Sequence, residues 1–166
     1  MDQLLALYQA LWEAGRPYDM IDFGLGAVDS MRMEKAYRGL GSELTNVVTL
    51  LQAGCSRFYR PDKDDFIGRA GAEASRLSGE AKEIIYGTID ATDCDVYGGE
   101  PILSGNRVVG VCTSGAYGHA VQKSLAFAYV DANAREDLDI IILGNRERFQ
   151  ILNEPIWDAS NSRQRV

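Results

Sequence analysis

The residues best suited to chemistry lie in one short stretch, Phe23 to Leu44, which reads FGLGAVDSMRMEKAYRGLGSEL. Its centre holds five polar or aromatic side chains within seven positions: Arg32, Glu34, Lys35, Tyr37 and Arg38. Together they offer hydrogen-bond donors, acceptors and one aromatic face, which could bind a polar ligand. The same composition also fits a solvated charged segment, so both interpretations stay open. The sequence shows no Ser-His-Asp arrangement, phosphate loop or metal-ligand spacing, so we predict no catalytic residue and no metal site.

Two patterns predict how this stretch is built. Apolar residues first recur at helical spacing, which predicts a short helix from Leu25 to about Ser30. Met31 and Met33 then alternate with charged residues, a period typical of a strand. We therefore expect an extended segment from the end of the helix to about Tyr37, with the polar residues at the junction.

The flanking sequence predicts further helices and one short strand. An amphipathic helix is expected over residues 2 to 14, with Asp2 as its N-cap. Its apolar residues are Leu4, Tyr8, Leu11 and Trp12. A strand is expected over Ser56 to Arg60, and Asp65 is expected to cap a helix from Phe66 to about Leu77. A break at residues 78–80 predicts a domain boundary there.

The second half of the chain has the pattern of an antiparallel β-barrel. Six short apolar runs are predicted as strands: Ile84 to Ile89, Val96 to Leu103, Arg107 to Thr113, Lys123 to Val130, Leu138 to Leu143 and Glu147 to Leu152. Glycine turns separate them, notably at Gly105-Asn106 and Gly144-Asn145, as in hairpins. Six strands at this spacing predict a closed or nearly closed barrel, and the fold class is α+β.

Composition excludes several classes of protein. The 166 residues carry a net charge of -7, which argues against a nucleic-acid partner. The sequence contains no apolar run long enough to span a membrane, and the acidic N-terminus lacks a signal-peptide pattern. Three widely spaced cysteines, Cys55, Cys94 and Cys112, predict reduced thiols in a cytoplasm-like compartment.

The Phe23 to Leu44 stretch resembles the FGLxAxxSxRxEKxYRxxGxEL motif of the glycine-cleavage T-protein (aminomethyltransferase) family. The resemblance is strongest to the branch fused to flavin enzymes, such as dimethylglycine and sarcosine dehydrogenases. Three further matches follow in family order: DFIGR at 65–69, GGEPI at 98–102, and TSGAYGH at 113–119 with KSLA at 123–126. The resemblance implies the C-terminal part of an α/β folate-binding domain over residues 1–78, then the family's barrel over 82–160.

The resemblance also implies roles for individual residues. The tyrosine at the Tyr37 position contacts folate in the family, and a tyrosine ring can stack on a flat pterin or benzoyl ring. Arg32 and Glu34 flank it; Arg32 forms either a structural ion pair or a bidentate contact with a folate carboxylate. Tyr117 and His119 belong to a loop near the implied pocket entrance, where His119 is either a proton carrier or a hydrogen-bonded loop histidine.

One departure from the family motif affects the ligand's tail. T-proteins proper have an arginine for the folate tail where this chain has Val28, between Ala27 and Asp29. An aliphatic side chain cannot bond a carboxylate, so the tail anchor stays unassigned. The flavin-fused branch often lacks this arginine too.

The resemblance implies tetrahydrofolate as cofactor, with FAD only in a partner or a missing N-terminal domain. The segment bearing the family's catalytic aspartate is not in this sequence, so we expect the chain alone to be incomplete for catalysis. Expected partners are folate and an N-terminal folate-domain or flavoprotein chain, or a second copy covering the first helix, in the cytoplasm or, in a eukaryote, the mitochondrial matrix. The alternatives are a non-catalytic binding or assembly module, and demethylation of a sulfur or aromatic-ether substrate.

Overall fold

A computed structural model describes residues 3–79 and 81–165 of the chain. The first part is helical and irregular, with α1 (Leu4–Gly15), α2 (Leu25–Glu34) and α3 (Arg69–Ser78). The second part contains six strands: β1 (Lys82–Ile89), β2 (Pro101–Ser104), β3 (Arg107–Gly118), β4 (Lys123–Asp131), β5 (Leu138–Ile142) and β6 (Asn145–Ile151). Every described helix is too short or too polar to cross a bilayer.

The predicted helix near the N-terminus is present as α1. Its N-cap position is Gln3, whose side chain makes no capping hydrogen bond, and the predicted Asp2 cap lies outside the described residues. None of the residues of α1 is buried, and Leu4 and Leu11 are each more than half exposed. The apolar face that the sequence predicted is therefore solvent-facing in this chain.

Helix α2 is longer than predicted, and the prediction of an extended segment between about Ser30 and Tyr37 is wrong. The helix continues to Glu34, because its buried residues Ser30, Met33 and Glu34 recur at the i, i+3, i+4 spacing of one helical face. Met31 and Met33, which a strand would have placed on one face, are 50% and 0% exposed. The alternation of Met with charged residues does not reflect a strand.

Two other local predictions also need correction. Ser56–Phe58 forms a single 3-10 turn where a strand was expected. Helix α3 begins at Arg69 and not at Phe66, after Gly68 in the left-handed region at φ +89°. Among the described residues before β1, the single strand-like pairing is an isolated bridge between Leu40 and Leu44. The α/β strands expected there are absent from the part of residues 1–78 that the structure describes.

The second part confirms the predicted barrel. All six strands pair antiparallel in the closed order β1-β4-β3-β2-β5-β6. The barrel interior is a core of aliphatic side chains that includes Ile85, Ile102 and Ile140. The predicted second strand is shorter than expected, because the chain pairs as a strand only from Pro101. Closure leaves no long unpaired edge in the sheet.

Strand β4 is buried on both faces, which links the barrel to the first part of the chain. Ala126 and Ala128 point into the barrel core. The alternate residues Leu125 and Phe127 point outward and pack with Met33 of α2, all three fully buried. The sheet alternation therefore serves two cores, one inside the barrel and one between the barrel and α2.

Candidate functional site

A fully buried carboxylate, Glu43, joins α2 to the barrel. Its side chain is 0% exposed and accepts five hydrogen bonds, so all of its capacity is used within the protein. The donors are the Arg32 guanidinium at 3.0 Å, the Gly39 amide at 2.7 Å, and the hydroxyls of Ser42 at 2.9 Å, Thr113 at 2.7 Å and Ser114 at 2.6 Å. We call Glu43 and these five residues the Glu43 network.

A β-bulge in strand β3 supplies two donors of this network. Cys112 pairs with Ala128 and Ser114 pairs with Phe127, so Thr113 is an extra residue without a cross-strand partner. In a regular strand consecutive side chains point to opposite faces. The bulge instead allows the Thr113 and Ser114 hydroxyls to donate to the same Glu43 oxygen, Oε1.

The network keeps Glu43 ionised. Burial alone would raise the pKa of this carboxyl, but the hydrogen bonds from Ser114, Gly39, Thr113 and Ser42 outweigh it and hold the pKa below its ordinary value. The Arg32 guanidinium, 3.0 Å away, compensates the negative charge. A buried, paired carboxylate of this kind fixes structure and does not offer a free base.

Arg32, a predicted ligand-binding residue, belongs to this network. Besides Glu43, its guanidinium donates to Asp29 at 3.3 Å, to the Tyr37 carbonyl at 3.1 Å and to the Ser114 hydroxyl at 3.3 Å. Its side chain is 17% exposed. These contacts support a structural role for Arg32. Its hydrogen bond to the Tyr37 carbonyl also fixes the backbone that presents the Tyr37 side chain.

Tyr117, expected in a loop, is a residue of strand β3, and His119 follows in the turn between β3 and β4, which Glu34 of α2 contacts. The Glu34 carboxylate accepts from the backbone amides of Ala120 and Val121 at 2.6 and 3.3 Å, which caps the turn between β3 and β4. Tyr117 and His119 are exposed and meet edge to face with ring centroids 5.1 Å apart. Ser30 donates to the Tyr117 carbonyl at 2.7 Å, so this turn is fastened to α2.

Of the five predicted binding residues, Tyr37 lines a cavity. The cavity measures about 600 Å³ and lies between the end of α2, the segment around Gly54, and the outer face of the barrel. Tyr86 and Phe127 lie in its wall but are only 7% and 0% exposed, whereas Tyr37 is 46% exposed. Arg32, Glu34, Tyr117 and His119 are not among its lining residues. The structure therefore separates Tyr37 from the other four candidates.

Sequence reasoning missed two features of this region. No local pattern singles out Glu43 in its glycine-rich segment, and the signal that could indicate its site is the adjacent hydroxyl pair Thr113-Ser114 at the end of a predicted strand. The sequence predicts no individual role for Arg38 within its run of charged residues, although Arg38 lines the cavity. Within residues 3–79 and 81–165, no group of three or more His, Cys, Asp or Glu side chains could hold a metal ion.

Comparison with protein families assigns both parts of the chain to one family. Residues 1–63 match the family model described as the GCVT N-terminal domain. Residues 82–158 match the Glycine cleavage T-protein C-terminal barrel domain, in agreement with the closed barrel. The two models together account for most of the chain, and the chain belongs to the glycine-cleavage T-protein family.

Individual relatives fall into two groups. Human dimethylglycine dehydrogenase, mitochondrial, is 34% identical over 166 residues, covering 98% of this chain. The aminomethyltransferase of Streptomyces avermitilis is 32% identical over 158 residues, covering 91% of this chain. A crystal structure of the glycine cleavage system aminomethyltransferase T from Bartonella henselae matches 82% of this chain with a TM-score of 0.75, at 20% identity. That structural match supports the fold.

The chain is much shorter than these relatives. It spans 19% of the human dimethylglycine dehydrogenase, 42% of the Streptomyces aminomethyltransferase and 39% of the Bartonella chain. More than half of the length of each of these relatives therefore has no counterpart in these 166 residues.

Proposed function

We propose that this chain is the C-terminal folate-binding part of a tetrahydrofolate-dependent enzyme of the aminomethyltransferase or dimethylglycine/sarcosine dehydrogenase type, acting in one-carbon metabolism. The observation that carries the proposal is the match of both parts of the chain to one family, together with a tyrosine of its motif lining a cavity. The chain contributes one wall of a ligand pocket and the barrel behind it. It is incomplete for catalysis alone, because group transfer requires orientation and a proton acceptor in one place.

The cavity beside Tyr37 has the properties of a site for a flat, partly polar ligand. Its volume of about 600 Å³ is within the usual range for small-molecule sites. Tyr37 offers a half-exposed ring for stacking, and the exposed Phe58 ring adds apolar surface to the lining. Burial raises the pKa of Tyr86 to about 12, so its phenol stays protonated at neutral pH.

Replacing Tyr37 by alanine should weaken binding of a reduced folate about 10-fold, because the stacking surface is lost. The measurement is isothermal titration of 5-formyltetrahydrofolate, which is stable in air, into the purified chain. The matched control is Tyr97→Ala, since Tyr97 is 93% exposed and does not line the cavity. Absence of any heat with the unmodified chain at millimolar ligand would contradict the proposed function.

A further part of the proposal is that another polypeptide or domain completes the pocket. Helix α1 exposes Leu4, Leu5 and Leu11 at 66%, 66% and 58%, and Phe23 is 66% exposed close after it. Apolar exposure on this scale is typical of a surface that another protein surface covers. An N-terminal folate domain, a flavoprotein chain holding FAD, or a second copy of this chain would fit. The compartment, cytoplasmic or mitochondrial matrix, stays a prediction.

The purified chain should associate at high concentration if this face is an interface. We expect multi-angle light scattering to give a mass above that of the 18.2 kDa monomer, and the double variant Leu4→Glu/Leu11→Glu to return it to the monomer mass. The control places the same charges on α3, at the exposed residues Ala74 and Leu77. A monomer at every concentration would count against a homodimer and favour a different partner chain.

One set of observations favours a second function, a non-catalytic binding or assembly module. Val28 stands where T-proteins proper have an arginine, and Arg32 is already occupied by Glu43. Both features are expected of a chain that keeps the fold but does not bind folate. The titration described above separates the two functions directly.

A further inference from the structure

The cavity beside Tyr37 contains an arginine whose hydrogen-bonding capacity is not used. The Nε atom of Arg38 is buried and has no hydrogen-bond partner, and among the described residues Arg38 forms no ion pair. An arginine stays charged at any physiological pH. A half-buried guanidinium with an unused inward donor is unfavourable unless an anion or acceptor occupies the space it faces.

The surrounding residues hold this guanidinium in place without neutralising it. Its central carbon lies 5.8 Å from the centroid of the Phe127 ring, in a cation–π contact. On another side its Nη2 atom approaches Gly54 so closely that an added Cβ would lie 2.6 Å away. Gly54 also has a φ of +63°, which glycine adopts without strain. The position of Arg38 is therefore defined by an aromatic ring and by a space that glycine leaves.

The other cations of the cavity differ from Arg38. Lys35 pairs with Asp158 at 3.5 Å, and Arg135 pairs with Glu83 at 2.9 Å, so their charges are compensated. Arg57 stacks on the Phe58 ring at 4.6 Å and is exposed to solvent. The lining also includes one exposed carboxylate, Glu154. Among the cations that line the cavity, Arg38 therefore combines an uncompensated charge with a buried Nε–H that has no hydrogen-bond partner.

We propose that Arg38 anchors the anionic group of a ligand whose flat body lies against Tyr37 in this cavity. The ligand class is an aromatic or heteroaromatic carboxylate, because a guanidinium binds a carboxylate with two parallel hydrogen bonds. Where the proposed function holds, this carboxylate is the folate tail, and Arg38 supplies the anchor that Val28 cannot. The identity of the ligand rests on the proposed function, whereas anion binding at Arg38 does not.

The test uses the two halves of the ligand as separate probes. p-Aminobenzoylglutamate carries the carboxylates without the pterin, and 6-methyltetrahydropterin carries the pterin without carboxylates. Each is titrated calorimetrically into the unmodified chain and into Arg38→Met, whose side chain fills similar space without charge. We expect Arg38→Met to weaken binding of p-aminobenzoylglutamate about 10- to 100-fold. Binding of 6-methyltetrahydropterin should change less than twofold.

Two further variants keep the result interpretable. Arg76→Met removes a guanidinium that pairs with Glu73 outside the cavity, and it should bind both probes as the unmodified chain does. Arg38→Lys keeps the positive charge but loses the Nε–H and the planar fork. Its affinity for p-aminobenzoylglutamate should therefore lie between that of the unmodified chain and that of Arg38→Met. Thermal unfolding of all three variants, measured alongside, shows whether each is folded at the titration temperature.

The outcomes separate this inference from the proposed function. Equal binding of p-aminobenzoylglutamate by the unmodified chain and by folded Arg38→Met would overturn the role of Arg38, as would no binding to the unmodified chain. Arg38-dependent binding of p-aminobenzoylglutamate without binding of 5-formyltetrahydrofolate would uphold the anion site and reject the folate function. If Arg38→Met binds 5-formyltetrahydrofolate as tightly as the unmodified chain does, the folate function is upheld and the anion site at Arg38 is rejected.

Discussion

Replacement of Glu43 by glutamine is expected to lower the free energy of unfolding by about 3 kcal/mol. The glutamine amide would present donors to groups that are themselves donors, and the partly buried Arg32 guanidinium would keep only the half-exposed Asp29 as counter-charge. Urea unfolding followed by circular dichroism at pH 7 measures the change. A loss under about 1 kcal/mol would contradict the role assigned to the Glu43 network.

The matched control for this substitution is Glu13→Gln. Glu13 also pairs with an arginine, Arg16, at 3.1 Å, but its side chain is 67% exposed. Exposed ion pairs contribute little, so this variant should lose less than about 0.5 kcal/mol. The comparison separates the effect of burial from the effect of removing one carboxylate charge.

Acid titration offers a second readout for Glu43. Because its folded-state pKa lies below the ordinary value of 4.5, its ionised form stabilises the fold fully above that pH. The contribution is lost as the pH falls from 4.5 through the lower folded-state pKa. The urea midpoint of the unmodified chain should therefore fall over this acid range, and that of Glu43→Gln should fall less.

The second large effect is expected for Met33→Ala, at about 3 kcal/mol of lost stability. Met33 is fully buried between α2 and the outer face of the barrel, against Leu125 and Phe127. Truncation removes apolar contacts and leaves a cavity that the closed barrel cannot collapse to fill. The measurement is again urea unfolding, with the change in the midpoint taken at constant slope.

Met31→Ala is the control that discriminates between the two interpretations of this segment. Met31 is half exposed on the opposite side of α2, so its truncation should change stability by less than about 0.5 kcal/mol. In an extended segment Met31 and Met33 would share a face, and their truncation would have similar effects. Equal losses would therefore contradict the helix that the structure assigns to residues 25–34.

The barrel could be predicted from sequence because its determinants are local. Alternating apolar runs and glycine turns such as Gly105-Asn106 identify each hairpin without reference to distant residues. Helix α2 was misread for a different reason. Two of its three buried residues, Ser30 and Glu34, are polar, so its inward face lacks the apolar pattern that indicates a helix.

The candidate site was only partly predictable, because its geometry depends on contacts between distant residues. Glu43 is buried by hydroxyls 70 and 71 positions away, which no local pattern indicates. The sequence leaves both a structural and a ligand-binding role open for Arg32, and its partner Glu43 cannot be named from the sequence. Tyr37 was placed by the family motif and lines a cavity, and its contact with a ligand stays a prediction.

The bulge at Thr113 has a consequence for dividing this chain into modules. A barrel expressed without residues 3–79 would retain two neighbouring hydroxyls on the side that faces α2, Thr113 and Ser114, and lose the carboxylate that accepts from both. The hydrogen-bond register of β3 is thus adapted to a side chain from another part of the polypeptide. Grafting this barrel onto an unrelated helical domain would transfer its shape and not its attachment, because the carboxylate that accepts from both hydroxyls would be left behind.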